Sequence, residues 1–435
     1  MTKLNSNNLL LSVLPDDDVL SQCIHCGMCL ATCPTYELTK LERSSPRGRL
    51  KMIKSVARGE MKISKIFAEE MNFCLDCQAC ETACPAGVKY GSIVEAVRVV
   101  IEESGYGKLV SRFLKYIALK IIIPNKSLLK STARLLRFYQ RSGLQKFLHK
   151  SGIFKMMAPK LAEIDNLSPS VSSKFSDNHL EEKISSAVPT KYKTAFLTGC
   201  LMNVMFDEIN NDTIDVLKTL NCDIFIPKNQ VCCGSLNEHN GDFETAKSLA
   251  KKNIDAFGQS DYDFLITNSS GCSAFMKEYG HILKDDPEYS GKAKIFSSKV
   301  KDIMEFLADV DIEKKLNTLN DSVTYHDACH HVHTQKIFSE PRKVLQSIPE
   351  LSFNELEEST WCCGSAGIYN ITHYDDSMKL LERKMNNIMK TDSKIVLAAN
   401  PGCISQLKYG AKKFHVDVEI MHPISFVKKS LNANK

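Results

Sequence analysis

The residues best able to do chemistry in this chain are its cysteines. Seventeen occur in 435 residues, and all but Cys222 fall into repeated patterns. The first pattern is CIHCGMCLATCP, with Cys23, Cys26, Cys29 and Cys33 ahead of Pro34. It returns as CLDCQACETACP, with Cys74, Cys77, Cys80 and Cys84 ahead of Pro85. A C-x2-C-x2-C-x3-C-P run suits a [4Fe–4S] cubane. A tight loop offers three thiolates to three irons, and the fourth cysteine points to the other cluster. The expected ligand sets are therefore Cys23, Cys26, Cys29 with Cys84, and Cys74, Cys77, Cys80 with Cys33. Each proline then opens a helix at its first position. Gly27 and the small Ala79 leave room for backbone amides near cluster sulfides. A pair of structural zinc sites is the alternative. Zinc uses paired C-x2-C hooks, which leave the three-plus-one spacing and the trailing proline unexplained.

The second pattern is two adjacent cysteines followed by glycine. VCCGSLNEHN contains Cys232 and Cys233, and WCCGSAGIYN contains Cys362 and Cys363. Each pair lies between two further cysteines, Cys200 and Cys272 in one half, Cys329 and Cys403 in the other. The intervals are 32 and 33 residues (232 − 200, 362 − 329), then 39 and 40 (272 − 233, 403 − 363). Such agreement marks an internal duplication, and it predicts two similar lobes about a pseudo-twofold axis. Adjacent side chains normally diverge, so a tight turn must bring both thiols to one centre; Gly234 and Gly364 permit that turn. The eight cysteines are expected to serve metal or redox chemistry as a set, with a third iron–sulfur cluster among the options. A vicinal disulfide is strained and out of place in a reducing cytosol. Plain buried thiols would not repeat the spacing. Cys222, inside an apolar run, reads as a core residue.

Histidines crowd Cys329 in YHDACHHVH. His326 and His330 are expected in supporting roles around a centre, with ligation and proton transfer as alternatives, and Asp327 as an orienter of His326. His331, His333 and the isolated His239 get the same reading.

These residues need elements to position them. Ser45 followed by Pro46 reads as a helix start, with Leu50, Ile53 and Ala57 at helical spacing. Arg47 and Arg49 lie either near a cluster or on a solvated first turn. Between Ser104 and Ala162 there is no acidic residue and there are thirteen Lys or Arg. Apolar residues interleave at helical spacing, and Pro124 and Gly143 divide the stretch into about three helices. This basic region is a solvated connector, a dock for a partner, or a face for an anionic membrane. Nucleic acid is disfavoured, because no matching fold accompanies the charge. Residues 167–191 are polar and read as a linker or surface loop.

Beyond the linker, apolar runs end at Cys200, Cys272, Cys329 and Cys403, and helical patterns separate them. Strands alternating with helices predict parallel sheets, with ligands gathered beyond the carboxyl ends of the strands. The fold class expected is α+β overall: a helical two-cluster ferredoxin-like N-terminal domain, then two duplicated α/β lobes with parallel sheets. The expected boundaries are 1–103 for the ferredoxin-type domain, 104–190 for the connector, and 191–320 and 321–435 for the two lobes. The opening residues lack an export signal and no apolar run is long enough to span a bilayer, so the expected location is cytoplasmic.

The whole set of motifs resembles the iron–sulfur subunit of glycolate oxidase. YHDACH, PRKVL, CCGSAGIYN and NPGC resemble its second C-C-G half; TGCLMN, VCCGSLNEHNGD and NSSGCSAFMKEYG resemble its first. Related architectures occur in anaerobic glycerol-3-phosphate dehydrogenase, in lactate-utilisation proteins and in heterodisulfide reductase. The resemblance implies a separate FAD subunit that oxidises glycolate or another 2-hydroxy acid. Electrons would then pass through this chain toward a quinone or other acceptor, at the cytoplasmic face of the inner membrane. No G-x-G-x-x-G fingerprint is present here, so flavin chemistry belongs to the partner. In the heterodisulfide reductase relatives the last element is C-x2-C. Here it is SSGC and NPGC, each with one cysteine, which argues against a five-cysteine non-cubane cluster and weakens the alternative of a thiol–disulfide reductase.

Overall fold

The computed structural model describes residues 14–106, 109–152, 154, 156 and 158–433. Residues 1–13, which carry most of the reading on export, lie outside the described residues, as do Lys108 and Lys155 of the basic stretch.

The N-terminal region is helical, and its helices frame the two cysteine runs. Ser45 Oγ accepts the Gly48 N–H at 3.0 Å and Pro46 follows it, so helix Pro46–Ala57 starts where capping chemistry puts it. Its buried face, Leu50, Ile53 and Val56, meets Phe67 and Met71 of helix Lys65–Asn72 and Ile93, Val94 and Val97 of helix Tyr90–Glu103. This small core is the platform for both cysteine loops.

The basic region forms helix Leu109–Tyr116, running into a wider turn at Ile117–Ile122, then helices Lys126–Arg141 and Leu144–Lys150. The first run ends just before Pro124, and Gly143, at φ 87°, precedes the last helix. Asn125 Oδ1 caps the middle helix by accepting the N–H groups of Ser127 and Leu128, each at 3.1 Å. Among the described residues no helix is long and apolar enough to cross a membrane.

Two sheets follow. The first contains β1 (Lys183–Ile184), β2 (Tyr192–Phe196), β3 (Cys222–Phe225), β4 (Phe264–Thr267) and β5 (Val300–Asp302), in the order β1-β3-β2-β4-β5. All its neighbours are parallel except the β1–β3 pair. The second contains β6 (Ser322–His326), β7 (Ser352–Phe353), β8 (Ile395–Ala398) and β9 (Glu419–Met421), all parallel, in the order β7-β6-β8-β9. Apart from β1, the two sheets have one topology.

One expectation fails. Residues 167–191 are not a free linker: Val171, Phe175 and Leu180 are buried, and β1 extends the first sheet. Phe175 anchors the segment, with Arg137 4.9 Å and Arg134 5.7 Å above its ring. A few well-spaced apolar residues are enough to bury a chain whose average composition is polar. Behind the sheets one apolar core runs through both, joining Phe196, Ile224 and Ile266 to Val323, Tyr325 and Val396. Helix Asp207–Thr219 packs on helix Pro423–Asn432 across this seam.

Candidate metal centres and the cysteine cavity

Cys23, Cys26, Cys29 and Cys84 line one small cavity, with Gly27 and Arg47 on its wall. Cys33, Cys74, Cys77 and Cys80 line a second, with Arg49 and Tyr90. Each cavity draws three thiols from one run and one from the other. Gly27 sits at φ +85°, a backbone conformation that favours glycine, and a Cβ there would push the Arg47 guanidinium aside from 2.8 Å. Arg47 donates to the His25 carbonyl at 3.0 Å and pairs with Glu42 at 2.6 Å. Arg49 is fully buried; it donates to the Glu70 carbonyl at 2.8 Å and to Thr35 Oγ1 at 3.0 Å, and its Nη2 has no partner. A buried guanidinium beside four thiols favours negative charge in the cavity. Burial pushes the Cys77 and Cys80 thiols well above their ordinary range. Soft sulfur donors and an orphaned guanidinium N–H suit an anionic metal–thiolate group, and the one carboxylate on the wall, Asp76, is paired with Arg98. Cys26 is the one exposed cysteine of the seventeen, flanked by exposed Ile24 and Met28.

A larger cavity, about 360 Å³, is lined by all eight cysteines of the duplicated halves. Cys200 and Cys272 follow β2 and β4, and Cys329 and Cys403 follow β6 and β8. These are the strand pairs at which each sheet's order reverses, the usual place for a ligand in an open α/β sheet. Within the halves, Sγ–Sγ separations are 3.4 Å for Cys200–Cys232, 3.4 Å for Cys233–Cys272 and 3.5 Å for Cys363–Cys403. Gly234 and Gly364 sit at φ +97° and +87°, so each C-C-G turn rests on a conformation that L residues rarely adopt.

The N-terminal domain closes this cavity. Cys74, Asp76 and Arg98 are on its wall. Cys77 packs with Cys362, Leu75 and Tyr369 in one apolar cluster, so the second small cavity adjoins the second C-C-G turn.

Comparison with known proteins agrees with this layout. A 4Fe-4S dicluster domain matches residues 19–88, a glycolate oxidase iron-sulfur subunit linker region matches 110–168, and a cysteine-rich CCG domain matches twice, at 194–277 and 323–408. The "Probable glycolate oxidase iron-sulfur subunit" of Bacillus subtilis is 40% identical over 401 residues, covering 92% of this chain and 90% of that protein. The "Glycolate oxidase iron-sulfur subunit" of Escherichia coli is 30% identical over 421 residues, 96% of each. The chain belongs to the glycolate oxidase iron–sulfur subunit family. "Lactate utilization protein A" of Bacillus subtilis is 27% identical over 231 residues, 53% of this chain and 96% of that protein.

In this family member the histidines around Cys329 take four separate roles. His333 Nδ1 lies 3.0 Å from Thr82 Oγ1, which ties the second CCG domain to the ferredoxin-like domain. His331 lies 2.9 Å from Asp302, the residue that caps helix Ile303–Asp309. His330 stacks on His239 with ring centres 5.0 Å apart. His326 is 1% exposed, and neither ring nitrogen has a hydrogen-bond partner. Asp327 does not orient it. Both Asp327 oxygens accept from Arg342, at 3.0 and 2.8 Å, because the buried carboxylate needs a full countercharge.

Sequence reading missed two groups. The first is a buried knot at the junction of the domains. Arg98 donates to Asp76 at 3.1 Å, to the Cys74 carbonyl at 2.6 Å and to the His239 carbonyl at 2.9 Å. His239 Nδ1 lies 2.9 Å from Glu95. Burial pulls His239 down, but Asp76 and Glu95 outweigh it and hold the imidazole well above the usual histidine range. Burial and the His239 charge pull His330 down to about 3, so the stacked pair shares a single charge. A lone Arg in the apolar run EAVRVV was the available signal. The second group is Lys384, which is 0% exposed and donates to the Glu358 and Ser359 carbonyls. Burial lowers it to about 8, partly opposed by Cys363 and Cys362.

Proposed function

We propose that this chain is the electron-transfer subunit of a glycolate oxidase complex. It takes electrons from an FAD subunit that oxidises glycolate, or a similar 2-hydroxy acid, to the 2-oxo acid, and passes them toward a quinone. The observation that carries this reading is the line of cysteine-walled cavities from exposed Cys26, through Cys77, to the large cavity beside Cys362. Two [4Fe–4S] clusters would be held by Cys23, Cys26, Cys29 and Cys84, and by Cys33, Cys74, Cys77 and Cys80, with a third centre in the CCG region. When bound, such clusters supply one-electron carriers. The protein's part is positional. Gly27 and the helix starts hold the thiols, Arg47 and Arg49 balance negative charge, and the Arg98 knot keeps the second ligand loop against the CCG domains.

The basic region supports a peripheral membrane contact. Thirteen of the twenty-two large apolar residues exposed among the described residues fall between Leu109 and Leu161. On helix Leu109–Tyr116, exposed Leu109, Val110, Phe113 and Leu114 share one face, while Arg112 and Lys115 line the cysteine cavity. Lys115, Lys120, Lys126 and Lys130 are paired with Glu102, Asp242 and Asp177, but the exposed apolar faces among the remaining Lys and Arg suit an anionic lipid surface.

The test is anaerobic purification with iron and sulfide analysis, followed by glycolate-dependent quinone reduction with the flavin subunit added. The reading expects at least about eight irons per chain, four for each cubane. A zinc protein without sulfide would overturn it. Co-sedimentation with anionic vesicles, but not with neutral ones, checks the membrane face.

A further inference from the structure

Two independent measures align the CCG domains. Counting back three residues from the first cysteine gives Leu197 (200 − 3) and His326 (329 − 3). In the sheets, Thr194 faces Phe264, eight residues before Cys272 (272 − 264), and Val323 faces Ile395, eight before Cys403 (403 − 395). Three positions beyond Thr194 and Val323 are again Leu197 and His326. The same chain position is therefore apolar in one domain and an imidazole in the other.

That imidazole has no structural employment. His326 is buried and neither ring nitrogen meets good hydrogen-bond geometry; the nearest acceptor, the Ser359 carbonyl, is shared with the Asp327 N–H at 3.2 Å. A buried polar group left unpaired costs about 1–3 kcal/mol. One of its nitrogens, Cys363 Sγ and Cys403 Sγ all lie within 4.8 Å of one another. This is the spacing of donors that share a centre, and burial keeps water from competing for it.

A second difference points the same way. Gly234 approaches Ala246 and Gly364 approaches Ser377. Seven residues beyond these stand Asn253 (246 + 7) and Lys384 (377 + 7). Asn253 bridges the turn itself, accepting the Val231 N–H at 3.0 Å and donating to the Cys232 carbonyl at 3.1 Å. Lys384 instead brings an ammonium group into a fully buried place whose only bonded partners are carbonyls. The groups that act on its charge are Cys363 and Cys362, with Asp327 and Glu358 behind them, and ionised Cys362 and Cys363 would steady the buried cation.

We propose that His326 is a nitrogen ligand to an anionic metal–thiolate centre in the second CCG domain, together with Cys329, Cys362, Cys363 and Cys403, and that the first domain builds no matching centre. This rests on the iron–sulfur reading above. It adds a fifth donor where the second CCG motif supplies four cysteines, and it makes the duplicated sites chemically unequal. A neutral imidazole as the fifth donor leaves the centre at a higher potential than a fifth thiolate would. The second domain is thereby set as an electron sink at the end of the line.

The test uses the full-length chain, loaded anaerobically and labelled with 15N-histidine, and reads hyperfine coupling by pulsed EPR. Nitrogen coupling that is present in the wild type and lost in His326→Leu supports the proposal. His326→Cys guards against misfolding: it should keep the iron, lose the coupling and lower the centre's potential. Metal-free His326→Leu should be as stable as the wild type or more so, because the unpaired imidazole is gone, while the loaded variant loses iron. Iron confined to the two N-terminal clusters would overturn the third-centre reading and this proposal with it. A third centre without nitrogen coupling would overturn histidine ligation alone.

Discussion

Around Cys232 and Cys233 the surroundings are neutral: Leu197 on one side, Asn253 bridging the turn, Tyr279 Oη donating to the Cys233 carbonyl at 2.5 Å. Around Cys362 and Cys363 stand His326, the buried ammonium of Lys384, and Leu75 and Cys77 from the ferredoxin-like domain. Strand order and cysteine spacing survived the duplication in both halves. The charged and nitrogen-bearing groups beside the two turns did not. A repeat thus keeps its scaffold because the scaffold is what folds, while its contacts diverge to suit what each copy faces. Among the described residues, the second copy packs a C-C-G cysteine, Cys362, in one apolar cluster with Cys77 of the ferredoxin-like domain.

The largest expected effect tests what holds the ferredoxin-like domain in place. Arg98→Ala leaves Asp76 with His239 as its remaining countercharge and the Cys74 and His239 carbonyls short of a donor, for a loss of about 3 kcal/mol in urea unfolding. Thr334→Val, which removes a 2.8 Å bond to Gln78 on the side of the second domain, should lose about 1 kcal/mol. Equal losses would mean that the first domain is not the main mechanical anchor. Next comes the chemistry: Cys363→Ser should lower glycolate-dependent quinone reduction about 100-fold, and Cys233→Ser less than about 10-fold. Equal falls in a reconstituted complex would erase the distinction between the domains. Third, Gly364→Ala forces φ +87° on a Cβ only 2.7 Å from the Ser377 carbonyl, whereas at Gly234 the nearest atom is a Phe275 ring carbon at 3.0 Å. Thermal unfolding should show a loss of about 3 kcal/mol for the first and about 2 kcal/mol for the second, since a backbone carbonyl cannot yield as a ring can.

The smallest effect concerns pH. In the metal-free protein Lys384 is lowered by burial to about 8 from 10.5. Between those values the unfolded chain holds a proton that the folded chain lacks, so this residue's contribution to stability rises with pH across that window. Paired urea titrations of metal-free wild type and Lys384→Met should converge by about 1 kcal/mol per pH unit above pH 8. With metal bound the negative centre keeps the amine charged, and the difference should stay flat.

The cysteine sets were legible in the sequence because loop geometry is local: the short spacing between thiols decides where the thiols point. The parallel sheets were legible too, since each apolar run ends at a cysteine and a helical pattern follows. Short edge strands such as β5, β7 and β9 carry too few residues to show a period. The Arg98 knot joins positions 22 and 141 residues apart, a separation at which no pattern reaches. The segment around Phe175 looked like linker because burial there depends on three or four side chains and not on average polarity. His326 could be suspected from its place beside Cys329, but its missing partners become visible only when the surrounding atoms are counted.

Cys26 is the most open of the cysteines, the one that is exposed rather than half-buried or buried, on a rim that includes Ile24 and Met28. If Cys26 holds iron as proposed, that corner would be where electrons enter from a partner, and equally where dioxygen arrives first. The free subunit should therefore bleach in air from this end. Assembly that covers the apolar rim would then act as a shield against oxidation as well as a conduit.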